Sequence, residues 1–83
     1  MMQLDRPILL TGATGYVGGR LLRALEEAGR RVRCLVLDSR SLSSRVSPTT
    51  EIVQGDVRDL DLLRVMMRGV DTAYYLVYTA AAR

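Results

Sequence analysis

The hydrophobic residues of this chain form short apolar runs that alternate with stretches of helical period. Ile8-Leu9-Leu10-Thr11 is apolar and ends at a glycine, which predicts a strand buried on both faces. From Tyr16 the period becomes that of a helix, and Gly29 supplies its C-terminal stop. The apolar residues that mark one face of this helix are Val17, Leu21, Leu22, Leu25 and Ala28.

Three further runs predict strands. They are Val32 to Leu37, which only Arg33 interrupts, Glu51 to Gln54, and the aromatic and β-branched run Thr72 to Tyr78. Residues 38–50 are rich in serine and arginine, and their weak pattern favours no more than a short helix around Leu42 to Val46.

A second long helix is predicted before the fourth strand, from Leu60 to Arg68, with Asp59 as its cap and Gly69 after it. Its inner face is predicted to carry Leu60, Leu63 and Met67. The succession of strands and helices calls for a parallel sheet with right-handed crossovers and strand order 3-2-1-4. We therefore predict an α/β fold, the N-terminal half of a Rossmann-like sheet with helices on both faces, in which residues 1–83 form a single partial domain.

A turn with three glycines, Thr11-Gly12-Ala13-Thr14-Gly15-Tyr16-Val17-Gly18, joins the first strand to the first helix. Gly12 permits the tight bend, Gly15 removes a Cβ where a pyrophosphate would approach, and Gly18 lets the helix pack closely. The free N–H groups and the positive end of the helix would face that anion. The spacing G-x-x-G-x-x-G is one residue longer than the standard one, and alone it also fits a tight turn without a ligand. No Lys-Ser/Thr pair follows, which excludes a Walker-type loop.

Composition narrows the classes of function. Twelve arginines and no lysine give a formal charge of +3, but they are spread from Arg6 to Arg83, unlike the basic face of a nucleic-acid binder. The lone Cys34 lies in an apolar run and is predicted to be a core residue, and without histidine no metal site is expected. No apolar stretch reaches the ~20 residues that span a bilayer, and Met1 to Pro7 is no secretory signal. We expect a cytoplasmic protein without a nucleic-acid or membrane partner.

The chain resembles the extended and atypical short-chain dehydrogenase/reductase superfamily, and looks closest to its NmrA-like or YbjT-like NAD(P)-binding branch. The resemblance covers about residues 6–79. It rests on ILLTGATGYVG from Ile8 to Gly18, on Gly55-Asp56-Val57-Arg58-Asp59, and on Gly69-Val70-Asp71-Thr72-Ala73-Tyr74-Tyr75-Leu76-Val77.

The resemblance implies a bound NAD or NADP. Asp56 matches the aspartate that accepts a hydrogen bond from the adenine amino group, to which the backbone of Val57 also contributes. Asp56 could equally be a residue that only caps its turn. The fourth strand's end, Leu76, Val77 and Tyr78, matches the lining of the adenine and ribose, whereas Tyr74 and Tyr75 are expected to pack in the sheet. The residues that match the pyrophosphate turn are Gly12, Thr14, Gly15, Tyr16, Val17 and Gly18.

The choice between NAD and NADP stays open. NADP-preferring atypical members of the superfamily often place an arginine where this chain has Leu37. NAD-preferring extended members often place an aspartate where it has Val36. An NADP preference would have to come from Arg40 or Arg45, which otherwise belong to a solvated loop. Asp38 would instead accept a ribose hydroxyl and favour NAD.

Catalytic residues are not predicted in this chain. Members of the superfamily that do chemistry use a Tyr-x-x-x-Lys pair beyond the fourth strand, and the chain has no lysine. We therefore expect the cofactor-binding segment of a longer NAD(P)-dependent oxidoreductase or epimerase-like protein. The alternatives are a non-catalytic NAD(P) sensor of the NmrA-like type and a non-functional truncated product. The fourth strand is expected to leave an uncovered edge that favours self-association.

Overall fold

The structure, a computed structural model, describes residues 6–42 and 46–76. Its four strands are β1 (Ile8–Thr11), β2 (Val32–Val36), β3 (Glu51–Gln54) and β4 (Thr72–Tyr75). Its two α-helices are α1 (Tyr16–Glu27) and α2 (Leu60–Met66), and a single turn of 3₁₀ helix spans Ser39–Ser41. No helix in these described ranges is long and apolar enough to cross a bilayer.

The strands form one parallel sheet in the order β3-β2-β1-β4. In the register of the sheet, Leu10 of β1 lies opposite Cys34 of β2 on one side and Tyr74 of β4 on the other. All four residues of β1 are buried, because a strand in the middle of a parallel sheet is covered on both faces. The predicted Rossmann-like sheet and its strand order are confirmed.

Each face of the sheet carries its own core, because successive side chains of a strand point to opposite faces. Leu10 and Cys34 pack with Leu22 of α1 on one face, and Leu9 and Leu35 pack with Met66 of α2 on the other. The helices therefore lie on both faces, as predicted.

The helix ends follow the sequence signals. Gly29 and Gly69 have φ of +79° and +73°, the left-handed conformation that glycine adopts without strain after a helix. At the start of α2, the side chain of Asp59 accepts a hydrogen bond from the N–H of Leu62 at 3.2 Å. The predicted cap and both predicted stops are confirmed.

The inner faces of the helices were predicted only in part. In α1, Leu22 is buried and Leu21 and Leu25 pack on the core, but Val17 is 63% exposed and Ala28 is exposed. Val17 lies in the first turn, next to the glycine turn rather than over the strands, and Ala28 is the C-cap residue. In α2, Leu60 is 64% exposed and Met67 is also exposed, so their prediction is wrong. The residues that pack there are Leu62, Leu63 and Met66.

Several boundaries differ from the predicted ones. The second strand ends at Val36, which leaves Leu37 outside it, and α2 ends at Met66 rather than Arg68. The fourth strand ends at Tyr75, and Val77 and Tyr78 lie outside the described residues. Residues 43–45 of the short helix predicted around Leu42 to Val46 lie outside the described residues, and a turn of 3₁₀ helix comes earlier, at Ser39–Ser41, where Asp38 caps it.

The edge strand β4 is exposed along its whole length. Tyr75 is 68% exposed and Tyr74 is just above one-third exposed, so the prediction that both pack in the sheet is wrong. The register explains this, because β4 pairs with β1 on one side and lies at the end of the strand order on the other. Its aromatic content predicted a strand correctly but carries no information on which neighbours cover it.

Arg33, the one charged residue of β2, ties the sheet to the C-terminal end of α2. Its Nη1 donates to the carbonyl oxygens of Met66 at 2.6 Å and Arg68 at 3.1 Å, and its Nε donates to Glu51 Oε1 at 3.0 Å. A guanidinium at a helix C-terminus satisfies carbonyl groups that have no partner within the helix and offsets the negative end of the dipole.

Replacing Arg33 with methionine is expected to lower the free energy of unfolding by about 1–3 kcal/mol. The variant leaves two helix-end carbonyls without their donor at a side chain that is only 17% exposed. Urea unfolding followed by circular dichroism measures the change. Arg64→Met is the matched control, since Arg64 pairs with Asp61 at the surface and its loss should change stability by less than about 0.5 kcal/mol. Equal effects of the two substitutions would contradict the role assigned to Arg33.

Cys34 is buried in the core formed with Leu10 and Leu22, as predicted. Burial, with a smaller contribution from the charge of Glu26, raises the pKa of its thiol from 9.0 to about 12. The thiol therefore stays protonated at neutral pH, and only the thiolate is a nucleophile.

We expect the folded chain to react with a disulfide reagent far more slowly at pH 8 than the same chain in urea. Because the pKa is raised on folding, the stability that this group contributes is present below pH 9 and is lost as the pH rises through about 12. The reaction is followed by the absorbance of the released thiolate. Equal rates in the folded and unfolded chain would show that Cys34 is not buried.

Candidate functional site

The carboxyl ends of all four strands lie at one edge of the sheet, and most of the predicted site residues follow them. The glycine turn follows β1, Asp38 and Arg40 follow β2, Asp56 and Val57 follow β3, and Leu76 follows β4. In open α/β sheets, ligands bind at this edge, where the strand order reverses between β1 and β4. The fold therefore brings together residues that are up to 64 positions apart in the sequence (12 and 76).

Gly12 makes the bend at the end of β1. Its φ is +89°, and a Cβ there would lie 2.9 Å from the carbonyl carbon of Leu76. The neighbouring backbone is fixed in turn, because the N–H of Leu76 donates to the carbonyl of Thr11 at 3.2 Å. Both the backbone angle and the lack of space require glycine, as the sequence predicted.

Gly18 brings α1 against this turn. A Cβ at Gly18 would overlap the carbonyl oxygen of Gly12 and lie 2.6 Å from its carbon and 3.1 Å from the Cα of Ala13. The close packing predicted for Gly18 is present, and its partner is the backbone of the turn itself.

Gly15 is different, because neither its backbone angles nor any described neighbour requires glycine there. It is the N-cap of α1, with φ −81° and ψ 174°, a conformation open to any residue. A Cβ would meet only the carbonyl oxygen of Gly12, at 3.5 Å, which is ordinary contact. The space in front of Gly15 is open.

Within residues 6–42 and 46–76, the protein does not neutralise the N-terminal tip of α1. No described side chain caps the helix, and its first turn carries no acidic residue. Among the hydrogen bonds between described residues, none uses the N–H groups of Tyr16, Val17 or Gly18. A helix N-terminus carries about half a positive charge, so this tip offers donors and positive potential beside the open space at Gly15.

The side chains around this tip point outward. Thr14, Tyr16 and Val17 are exposed, and Tyr16 is covered only in part by the guanidinium of Arg20, whose carbon lies 5.3 Å from the ring centre. A cleft of about 510 Å³ begins at residues 13–16 and runs along α1 beneath Leu42. This volume is typical of a ligand pocket, although Asp56 and Leu76 do not line the cleft.

Asp38 and Arg40 form a closed ion pair at the end of β2. Asp38 Oδ1 accepts from the N–H of Arg40 at 3.0 Å and from its Nε at 3.1 Å, while Oδ2 accepts from Nη2 at 2.9 Å. These bonds hold the pKa of Asp38 below its ordinary value, the side-chain bond contributing most. Asp38, which was predicted to accept a ribose hydroxyl, is therefore bound to Arg40, one of the two arginines that were considered for a 2′-phosphate.

Asp56 and Arg58 repeat this arrangement at the end of β3. Asp56 accepts from the N–H of Arg58 at 2.9 Å, and its Oδ2 accepts from Nη2 at 2.7 Å. The side-chain hydrogen bond from Arg58 is the main cause that lowers the pKa of Asp56 from 3.8 to about 2. Asp56 stays ionised above that pH and caps its turn, so an adenine amino group would have to share the carboxylate with Arg58.

The remaining predicted residues take different positions. Leu37 is exposed at the surface, whereas Val57 is half-buried and packs against the core on the α2 face. Leu76 packs against the core on the α1 face and touches the glycine turn. Val77 and Arg45 lie outside the described residues. The sequence reasoning did not identify Arg58, although its spacing from Asp56 equals that of Arg40 from Asp38.

The comparisons with known proteins agree with the fold and show the family. A model of the NmrA-like family matches residues 5–82. The 3 beta-hydroxysteroid dehydrogenase/Delta 5→4-isomerase of Mycobacterium tuberculosis is 32% identical over 68 residues, which are 82% of this chain and 18% of that protein. The chain spans about a fifth of the length of the curated relatives it matches.

Two solved structures are similar over most of the chain. A Rossmann-fold NAD(P)-binding family protein from Shigella flexneri has a TM-score of 0.80 and 18% identity, over 93% of this chain and 39% of its own. An epimerase from Methanothermobacter thermautotrophicus has a TM-score of 0.77 and 27% identity, over 94% of this chain and 24% of its own.

Proposed function

This chain belongs to the NmrA-like family, and we propose that it binds the adenosine diphosphate part of NAD(H) or NADP(H) at the carboxyl edge of its sheet. The pyrophosphate lies in front of Gly15, against the N–H groups of Tyr16, Val17 and Gly18. The observation that carries the proposal is the glycine at residue 15, where neither backbone angle nor packing demands one. Because the fold itself does not require glycine at this position, the space left by the absent Cβ is explained by a pyrophosphate that contacts the backbone there.

Charge supports the same assignment. The helix tip offers unpaired donors and no acidic residue in its first turn, so a diphosphate meets positive potential without losing a competing bond. Similarity to a Rossmann-fold NAD(P)-binding family protein and to a dehydrogenase agrees with a dinucleotide ligand.

The other parts of the cofactor are assigned by position. Leu76, which follows β4, lines the adenosine, with Leu37 and Val57 at its rim and Asp56 toward the adenine amino group. Val77, which the resemblance assigns to the same lining, lies outside the described residues. Asp38 and Arg40 face the ribose. The activity of a whole protein that contains this segment, which we propose to be an NAD(P)-dependent oxidoreductase or epimerase-like reaction in the cytoplasm, depends on residues other than these.

Calorimetric titration of the chain tests the proposal. If the diphosphate is what the turn recognises, NADH, NADPH and ADP bind, whereas AMP, which shares the adenosine but carries one phosphate, binds at least about tenfold more weakly, the loss of one charge-assisted contact. No heat from either dinucleotide at millimolar concentration would refute the proposal. Equal binding of ADP and AMP would show that the glycine turn is not the pyrophosphate site.

We also propose that the exposed edge of β4 allows two chains to associate. What supports this is a strand with all four residues exposed and with no described strand paired on its outer side. Sedimentation velocity over a hundredfold range of concentration distinguishes a dimer from a monomer.

A further inference from the structure

Arg20 lies one turn beyond the tip of α1, on the side of the helix that lines the cleft. We propose that its guanidinium binds the diphosphate of the cofactor beside the N–H groups of the tip. The assignment rests on the proposed function and adds to it a charged side chain, which the glycine turn itself lacks. NAD(H) and NADP(H) carry the same diphosphate, so the contact serves both alike.

The geometry of the helix brings the guanidinium to the tip. Side chains of a helix lean toward its N-terminus, and residues four apart lie on one face, so Arg20 reaches back over Tyr16. The structure shows this contact, because the guanidinium carbon lies 5.3 Å from the centre of the Tyr16 ring. Gly15, Tyr16 and Arg20 all line the same cleft. The charge of Arg20 therefore lies on the cleft side of the tip, against the residue that follows Gly15.

The charge of Arg20 has no counter-charge within the described part of the chain. Arg20 is exposed, and none of the ion pairs or hydrogen bonds between described residues includes its side chain. Its neighbours three and four residues away along α1 include no carboxylate; they are Tyr16, Val17, Arg23 and Ala24. The donors of the guanidinium are therefore open to a ligand in the cleft.

A cation at this end of α1 works against the helix itself. The N-terminal end of a helix carries about half a positive charge and repels a guanidinium, whereas cations are stabilising at the opposite end. The Tyr16 ring offsets part of this repulsion, because the negative face of its π-system attracts the guanidinium and holds it near the tip. Two positive charges thus lie side by side. A diphosphate balances both, since its oxygens accept hydrogen bonds from the backbone N–H groups and from the guanidinium together.

Arg20→Gln tests the assignment, since it removes the charge and keeps a polar side chain that favours a helix. The affinities for NADH, NADPH and ADP should each fall by about tenfold or more, and by the same factor, because the three ligands share the diphosphate. Arg20→Lys keeps the charge without the planar fork of donors, so it should recover part of the loss. Calorimetric titration of the full chain gives the affinities, after the thermal unfolding of each variant has been compared with that of the parent.

Arg23 supplies the matched control. It is exposed and lines the same cleft one turn farther from the tip, and Glu26 and Glu27 follow it by three and four residues. Arg23→Gln removes the same charge, so it measures the general attraction of a basic chain for an anion. Its loss should be much smaller than that of Arg20→Gln, because an exposed charge without direct contact is screened by water and salt.

The role of the aromatic ring is tested by Tyr16→Leu, alone and combined with Arg20→Gln. If the ring holds the guanidinium at the tip, Tyr16→Leu lowers the affinity for NADH in the parent and lowers it no further once Arg20 is glutamine. Equal losses in the two backgrounds would show that Tyr16 does not act through Arg20, and the assigned arrangement would be wrong.

The outcomes of the titrations are distinct. A common loss of about tenfold or more in Arg20→Gln, with a much smaller one in Arg23→Gln, supports the proposal. Equal losses in the two variants overturn it, because net charge alone would then attract the ligand. A loss confined to NADPH also overturns it, since Arg20 would then contact the 2′-phosphate. Unchanged affinities in Arg20→Gln overturn it while the proposed function stands. If no ligand binds the parent, the proposed function itself fails and the proposal fails with it.

Discussion

Replacing Gly15 with valine is expected to abolish dinucleotide binding while the chain stays folded. The fold accepts a side chain at this position, because the backbone is extended and a Cβ meets only one atom, at 3.5 Å. The ligand is excluded by a valine at this position, because the branched side chain occupies the space in which the pyrophosphate contacts the helix tip. Losing two charge-assisted hydrogen bonds of about 1.5–3 kcal/mol each lowers the affinity by more than a hundredfold.

Titration calorimetry with NADH measures the loss, and the thermal unfolding midpoint shows that the fold is intact. Ala28→Val serves as the control, since Ala28 is exposed at the C-terminal end of α1, does not line the cleft and gains two methyl groups. Its affinity should equal that of the parent. A Gly15→Val chain that binds as well as the parent would place the pyrophosphate elsewhere, whatever else the turn does.

An intermediate variant makes the argument quantitative. Gly15→Ala adds a single methyl group that the protein tolerates, so the affinity should fall less than in Gly15→Val, and stability should change little. Graded loss with side-chain size at constant stability is what steric exclusion of a ligand predicts. A loss of folding in both variants would instead mean that the glycine serves the fold.

The sheet could be predicted because its rules act over short stretches. Buried runs between glycines give the strands, right-handed crossovers limit the possible topologies, and the glycine turn after the first strand favours the Rossmann order 3-2-1-4. The inner face of α2 could not be predicted in the same way. Both Leu60-Leu63-Met67 and Leu62-Leu63-Met66 satisfy helical spacing within two turns, and only the position of the sheet selects the second set.

The same distinction applies to the residues of the candidate site. The glycine turn was identified from local sequence, since Gly12 and Gly18 are needed for a bend and a close approach that the neighbouring residues themselves create. The two Asp–Arg pairs were not identified from local sequence. A spacing of two residues between opposite charges is common and does not show that the side chains form an ion pair. Their exposure keeps the contribution of each pair to stability small.

Gly18→Ala is expected to lower the free energy of unfolding by about 3 kcal/mol or more. The new methyl group would overlap the carbonyl oxygen of Gly12, and backbone atoms cannot turn aside as a side chain does. Relief requires that α1 move away from the turn, which opens the core around Leu22. Overpacking of this kind typically costs about 1–3 kcal/mol, and contact with backbone places it at the upper end.

Gly19 is the matched control, one residue further along the same helix. A Cβ there would lie 3.3 Å from the carbonyl oxygen of Ala13, a contact that a shift of a few tenths of an ångström relieves. Alanine also favours a helix over glycine by up to about 1 kcal/mol, so Gly19→Ala should remain within about 1 kcal/mol of the parent. Urea unfolding of the two variants gives the difference directly.

Gly18→Ala and Gly15→Val together separate the roles of these two glycines. Gly18→Ala should lose dinucleotide affinity because it weakens the packing that holds the helix tip, so that part of the affinity returns when sucrose stabilises the folded state. Gly15→Val should stay unable to bind under those conditions, because its defect lies in the ligand's path. If Gly18→Ala proved as stable as Gly19→Ala, α1 would not pack against the Gly12 carbonyl, and the tip that we assign to the pyrophosphate would not be held where the site requires it.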